Sequence, residues 1–107
     1  MNTTPCEVIC GLVKAMNAHD EDNLSACFSN EAVVRDGGLE YRGAPAIRRW
    51  MQEAFDRYAL HLDVTGVTGH GKNWFFHAQV SGNFEGSPVQ LEHCLTIEDG
   101  TIANLEI

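Results

Sequence analysis

The first residues of the chain place apolar side chains at the spacing of an amphipathic helix. A helix over residues 4–18 is predicted from Thr4, Pro5 and Glu7. A Thr at the N-cap and a Glu three positions later satisfy free backbone N–H groups at the start of a helix. A Pro in the first turn is tolerated because it has no N–H group that would need a partner. The apolar stripe of this helix consists of Val8, Ile9, Leu12, Val13 and Met16.

Two further helices are predicted before the middle of the chain. Asp20 is typical of an N-cap, and the short helix after it would turn Leu24, Cys27 and Phe28 inward. Pro45 fits the first position of a third and longer helix. Its apolar positions recur at steps of three and four residues: Ile47, Trp50, Met51, Ala54, Phe55 and Tyr58.

Strand patterns precede the third helix and dominate the second half of the chain. A β-branched segment, 32–36, is followed by two glycines and by a returning segment, 39–42. From residue 59 onward apolar and polar residues alternate, and turns are predicted at 69–73, 86–88 and 98–100. Strands joined by such hairpins pair antiparallel. Three helices before a four-stranded meander predict an α+β fold, in one domain over residues 1–107.

Composition and charge narrow the classes of partner. Seven Lys and Arg against fifteen Asp and Glu give a net charge of −8, which argues against nucleic acid and against anionic membrane surfaces. No apolar run is long enough to span a bilayer, and the first ten residues do not form a secretion signal. We therefore expect a cytoplasmic protein.

Four cysteines, at positions 6, 10, 27 and 94, form no metal-binding spacing with each other or with histidine. Cys6 and Cys10 lie one helical turn apart and are half of a metal site at most. We expect all four to be reduced thiols, buried or half-buried, because free cysteine behaves as a small apolar residue. No metal and no organic cofactor are predicted.

Four segments, in this order, resemble the nuclear transport factor 2-like superfamily, and within it the SnoaL-like and ketosteroid isomerase-like branch. They are residues 17–20, residues 32–36, the Y-x-G-x-x-A-I-x-x-W pattern that starts at Tyr41, and the H-x-L-x-I-x-D-G-x-I pattern that starts at His93. The resemblance implies a cone-shaped, curved antiparallel sheet wrapped around a long helix, with two N-terminal helices (a cystatin-like fold). It also implies an apolar cavity and a homodimer formed through the outer face of the sheet.

Asp36 is the first candidate for chemistry. By resemblance it occupies the position of the general base of ketosteroid isomerase, and it shares a strand face with Ala32 and Val34. A carboxylate that faces an apolar cavity is suited to take up a proton, because burial destabilises its charged form. The alternative is an ordinary turn residue before two glycines.

His93 is the second candidate, and two alignments compete for its position. One alignment places Glu92 where the isomerase has its oxyanion-stabilising acid, and the other places His93 there. Strand parity favours His93, because it shares a face with Leu91, Leu95 and Ile97 and a shift of one residue would turn this apolar set outward. A neutral imidazole there could donate to a ligand oxygen or relay a proton. Otherwise it would be a core histidine.

The chain also departs from the isomerase pattern. Leu12 and Met51 stand where the isomerase has tyrosines that support the oxyanion, so steroid isomerisation is not expected. The remaining side chains predicted to contact a ligand are Leu12, Tyr41, Trp50, Leu62, Trp74, Phe76, Val80, Phe84 and Leu105. His19, His61, His70 and His77 are assigned to the surface or to the dimer face.

The favoured function is an isomerase, cyclase or lyase that transfers protons on a small apolar carbonyl compound, with Asp36 as base and His93 as acid or orienting partner. Two alternatives stay open. The chain could be a non-catalytic binder of a small hydrophobic ligand. It could also be a dimeric interaction domain whose cavity is filled by its own side chains.

Overall fold

Helices and strands follow one another in the computed structural model in the predicted order, and the model describes residues 4–107. The elements are α1 (Pro5–Ala18), α2 (Glu21–Ala26), β1 (Phe28–Asp36), β2 (Leu39–Arg42), α3 (Gly43–Gln52) with a π-helical turn (Glu53–Arg57), β3 (His61–His70), β4 (Asn73–Ser81), β5 (Val89–Glu98) and β6 (Thr101–Glu106). No helix among the described residues has the length and apolarity that crossing a bilayer requires.

The predicted caps of the first two helices are confirmed. The side chain of Thr4 accepts a hydrogen bond from the backbone of Glu7 at 3.2 Å, and Asp20 accepts one from the backbone of Asn23 at 3.1 Å. The helix after Asp20 ends earlier than predicted, because Phe28 is already the first residue of β1. Phe28 is buried nonetheless, since its strand faces the core.

Other predicted boundaries were wrong by a few residues. The third helix begins at Gly43, so Pro45 is not its first residue, and its last turn is π-helical rather than α-helical. β4 ends at Ser81, and Gly82 and Phe84 therefore lie outside the strand into which their alternating pattern placed them.

The strands form a six-stranded sheet in the order β2-β1-β6-β5-β4-β3. All neighbours pair antiparallel except β1 and β6, which pair in parallel. Hairpin patterns could not predict this pair, because its two strands are separated by most of the chain. The parallel pair brings the end of β1 next to the end of β6, and α3 packs on β1.

The core lies between the helices and the inner face of the sheet. Ile47, Trp50 and Met51 of α3 are buried in one hydrophobic cluster that also contains Phe76 and Ala78, alternate residues of β4. The amide of Asn17 fixes α1 to β3: its Oδ1 accepts from the backbone N–H of Leu62 at 2.7 Å, and its Nδ2 donates to the Leu62 carbonyl at 2.9 Å.

The expectation of buried or half-buried thiols holds for only two of the cysteines. Cys27 and Cys94 are half-buried, whereas Cys6 and Cys10 are exposed. The two exposed residues precede Lys14 at steps of four, and therefore lie on the outward face of α1 opposite its apolar stripe.

Candidate active site

A cavity of about 400 Å³ opens between α3 and the inner face of the sheet. Most of its wall is apolar: Met16, Gly37, Leu39, Ala54, Leu60, Leu62, Val80, Val89, Leu91 and Ile107. Four aromatic residues and three ionisable ones complete it: Tyr41, Trp50, Tyr58, Phe84, Asp36, Glu53 and His93. A concave, largely apolar wall with a few polar groups is the usual form of a small-molecule site.

Asp36 is held in this wall by a tryptophan. It is the last residue of β1, and its Oδ2 accepts a 2.9 Å hydrogen bond from Nε1 of Trp50. Trp50 lies on the buried face of α3 and is only 4% exposed, so the donor cannot easily turn away. Asp36 makes no ion pair with any of residues 4–107, and its carboxylate is aligned by a neutral partner.

The imidazole of His93 borders the same cavity from β5. The residue is 4% exposed, and its ring stacks on Phe76 with the centroids 4.2 Å apart. Burial lowers the pKa of His93 from 6.5 to about 4, against the smaller opposing influences of the Leu91 backbone and of the Asp36 charge. The ring is therefore neutral at physiological pH. Its Nδ1 is buried without a hydrogen-bond partner among residues 4–107.

The neighbouring Glu92 points the other way. Its Oε2 lies 2.7 Å from Nε2 of His77 on the outer face of the sheet, where both residues are exposed. Strand parity thus predicted the orientation of β5 correctly, and the alignment that placed Glu92 in the cavity is wrong. His19, His61 and His70 are exposed as well.

Five of the nine residues predicted to contact a ligand do line the cavity: Tyr41, Trp50, Leu62, Val80 and Phe84. The other four do not. Leu12 and Leu105 are buried in the core, and Phe76 lies beneath the ring of His93. Trp74 is nearer the β3–β4 turn, where its Nε1 donates to the carbonyl of Gly71 at 3.0 Å. Parity predicts the face of a residue, but not its distance along the strand from the cavity.

Glu53 and Tyr58 are wall residues to which the sequence pattern gave no role in the cavity: it placed Tyr58 on the apolar face of the third helix and Glu53 on the opposite, polar face. Both lie at the π-helical turn after α3. Glu53 follows Trp50 by three residues, and this spacing was the available signal that it lies on the same side of the helix. The π-helical turn, which changes the direction of later side chains, had no signal in the sequence.

Tyr41 contributes a phenol to the wall. Burial, and then the negative charges of Glu53 and Asp36, raise the pKa of Tyr41 above its usual value of 10. The hydroxyl therefore stays protonated at physiological pH and can donate a hydrogen bond to a ligand in the cavity.

Comparison with known proteins agrees with this arrangement of sheet and helices. The family model of the SnoaL-like domain matches residues 11–105, and the chain belongs to that family. No protein of curated function matches the sequence.

Among solved structures, a proposed polyketide cyclase from Sinorhizobium meliloti is 37% identical, with a TM-score of 0.90 over 94% of this chain and 92% of that one. An NTF2-like protein from Cytophaga hutchinsonii is 13% identical, with a TM-score of 0.83 over 99% of this chain and 89% of that one. A protein with a ketosteroid isomerase-like fold from Catenulispora acidiphila, solved in complex with trimethylamine, is 19% identical, with a TM-score of 0.81 over 97% and 85% of the two chains. The last two likenesses establish the fold alone.

Proposed function

We propose that the protein is an enzyme that transfers a proton on a small, largely apolar carbonyl compound, as an isomerase, cyclase or lyase does. The observation that carries this proposal is that Asp36 and His93 border one apolar cavity of about 400 Å³. A carboxylate and a neutral imidazole beside an apolar volume are the minimum needed to remove a proton from carbon and to stabilise the resulting enolate.

Asp36 is the base in this proposal. Its carboxylate takes the proton from the carbon next to the carbonyl, the C–H electron pair moves into the C–C bond, and the carbonyl oxygen gains the negative charge. The hydrogen bond from Trp50 holds one oxygen of the carboxylate, so the other oxygen can point to the substrate. Alignment of this kind lowers the entropy lost in reaching the transition state.

His93 stabilises the enolate oxygen in this proposal. Because burial keeps the imidazole neutral, the ring carries one N–H, which can donate to the developing enolate without first losing a positive charge. A donor aimed at the oxyanion contributes on the order of 3 kcal/mol to transition-state stabilisation.

The 37% identical relative supports this class of chemistry, since it is described as a proposed polyketide cyclase and polyketides are rich in carbonyl groups. Steroid isomerisation is not proposed. Leu12 and Met51, which replace the tyrosines of the isomerase pattern, are buried apolar residues without a hydroxyl to donate.

The test is hydrogen–deuterium exchange at the α-carbon of 2-tetralone in D₂O, followed by NMR. We expect the protein to accelerate exchange over buffer and Asp36→Asn to abolish the acceleration, because the amide can still accept from Trp50 but cannot take a proton. Asp56→Asn is the matched control, since Asp56 is exposed and outside the cavity wall. Full exchange by Asp36→Asn, or none by the unaltered protein, would contradict the proposal.

A second candidate is a binder of small hydrophobic ligands without turnover, which the missing tyrosine hydroxyls favour. In that case 2-tetralone would raise the melting temperature, because it binds only the folded state, and no exchange would follow. The third alternative, an interaction domain with a filled cavity, disagrees with the open volume that the structure shows.

A further inference from the structure

The charge in the cavity wall has one sign. Among the residues that the structure describes, Asp36 and Glu53 are the carboxylates of the wall, and neither Lys nor Arg lines it. His93 adds no positive charge, because it is neutral. The ionised side chains of the wall therefore favour a cationic ligand over an anionic one, and their effect is stronger in a partly desolvated cavity than in water.

Glu53 is the carboxylate that the proposed proton transfer does not use. It begins the π-helical turn, and its Oε1 lies 3.0 Å from a guanidinium nitrogen of Arg57. Both side chains of this pair are substantially exposed, so the pair is screened by solvent and is readily exchanged for another cation.

Two tyrosine rings line the same cavity as this carboxylate. Tyr58 directly follows the π-helical turn, and the guanidinium of Arg57 lies 5.3 Å from the centroid of its ring. Tyr41 lines the same cavity, and the charge of Glu53 acts on its hydroxyl. Carboxylates and phenol rings together attract cations, since the face of an aromatic ring is electronegative.

His93 supplies an independent sign that a polar ligand belongs here. The residue is 4% exposed, it lines the cavity, and its Nδ1 has no partner among residues 4–107. Burying a polar atom without a partner costs stability, and such a cost in a cavity wall is typical of a functional site. The wall of the site thus has a hydrogen-bonding group, His93, at one position, and a carboxylate, Glu53, with two tyrosines in the same wall at another.

We propose that the substrate carries a positively charged amine as well as its carbonyl group and apolar body, that Glu53 with Tyr41 and Tyr58 binds the amine, and that the cavity rejects anionic compounds. This inference rests on the proposed function, because it names the substrate class of the same cavity. It narrows the substrate from apolar carbonyl compounds in general to amino carbonyl compounds.

Three probes of similar size and different charge test the inference: phenethylamine, 2-phenylethanol and phenylacetate. Their affinities would be measured by isothermal titration calorimetry at pH 7 and low ionic strength. We expect the amine to bind about tenfold more tightly than the alcohol, the scale of one cation–π contact or exposed ion pair in a partly desolvated site. We expect no measurable binding of phenylacetate.

Three variants separate the Glu53 subsite from general electrostatics. Glu53→Gln should bring the affinities for amine and alcohol together, whereas Asp56→Asn removes the same charge from the same turn outside the cavity wall and should leave the preference intact. Arg57→Gln, which frees Glu53 from its ion pair, should strengthen the preference for the amine.

The inference would be overturned by equal binding of amine and alcohol, by no binding of the amine, or by a preference for the amine that survives Glu53→Gln. Its failure is distinguishable from failure of the proposed function, which is judged by exchange of the neutral 2-tetralone. If the protein catalyses exchange but shows no preference for the amine, only this inference is refuted. If it prefers the amine through Glu53 but catalyses no exchange, the proposed function is refuted and a cation-binding cavity remains.

Discussion

The indole Nε1 of Trp50 donates a 2.9 Å hydrogen bond to the carboxylate of Asp36, and so joins the buried face of α3 to the end of β1. Trp50 also packs edge-to-face on Phe28, with the ring centroids 6.4 Å apart. One side chain thus has two roles: it fills the core and it orients the carboxylate. Replacing Trp50 with phenylalanine separates these two roles.

Trp50→Phe keeps an aromatic ring against Phe28 but removes the donor to Asp36. We expect a free energy of unfolding in urea that is lower by about 1.5–3 kcal/mol, the usual contribution of a hydrogen bond to a charged group. We also expect α-proton exchange reduced about tenfold, because the carboxylate loses its alignment. Trp74→Phe is the control, since its indole donates to Gly71 outside the cavity and its loss should leave exchange unchanged. Equal effects of the two variants would refute a positioning role for Trp50.

His93→Phe should make the protein more stable and less active. Phenylalanine retains the stacking on Phe76 and replaces a buried nitrogen that has no partner among residues 4–107, so we expect a gain of about 1 kcal/mol in unfolding free energy at pH 7. The α-proton exchange should fall about 100-fold, the loss expected when one donor to the developing oxyanion is removed. A clear loss of stability would show that the imidazole has a favourable polar partner, in conflict with the structure.

Acid should destabilise the protein through His93. The pKa of the folded ring is about 4, below its ordinary value of 6.5, so between these values the unfolded chain binds a proton that the folded chain does not. Stability is therefore lost as the pH falls from 6.5 to 4, by about 3 kcal/mol in total for this group.

The measurement is urea unfolding of the unaltered protein and His93→Phe at pH 7 and pH 4.5. Titrations common to both proteins cancel in the comparison. We expect the advantage of His93→Phe to grow by about 2–3 kcal/mol at the lower pH. A difference that does not change with pH would contradict the assignment of a depressed pKa to His93.

Gly82 is predicted to tolerate no side chain. A Cβ at this position would overlap the carbonyl oxygen of Tyr58 and press on Leu60, and both of these residues line the cavity. Gly82→Ala should cost about 2 kcal/mol in stability, as overpacking does, and weaken ligand binding. Gly66→Ala is the control because nothing lies within 4 Å of its Cβ; similar losses in both variants would argue against a specific clash.

The homodimer expected through the outer sheet face stays a prediction. Among residues 4–107, Phe75 is the large apolar residue exposed on that face, at 37%, and its partner across the β4–β5 pair is Cys94. Sedimentation should give twice the mass of one chain, and Phe75→Asp should give the mass of one. Val67 is also exposed but pairs with the inward-facing Phe76, so Val67→Asp should leave the dimer intact.

Local patterns predicted much of this molecule, because the direction of a side chain follows the backbone period of its own element. The caps at Thr4 and Asp20 are local hydrogen bonds, and the alternation in β5 was enough to turn His93 inward and Glu92 outward. The family resemblance then suggested where Asp36 belongs relative to the cavity.

Other features depend on where α3 crosses the sheet, and only the tertiary structure decided them. The indole of Trp50 meets Asp36, Glu53 and Tyr58 enter the wall at a π-helical turn, and Phe76 and Trp74 lie outside the cavity. Periodicity assigns a face to each residue, but the distance between two elements that are far apart in the chain is determined by the packing of the whole core, which no local pattern encodes.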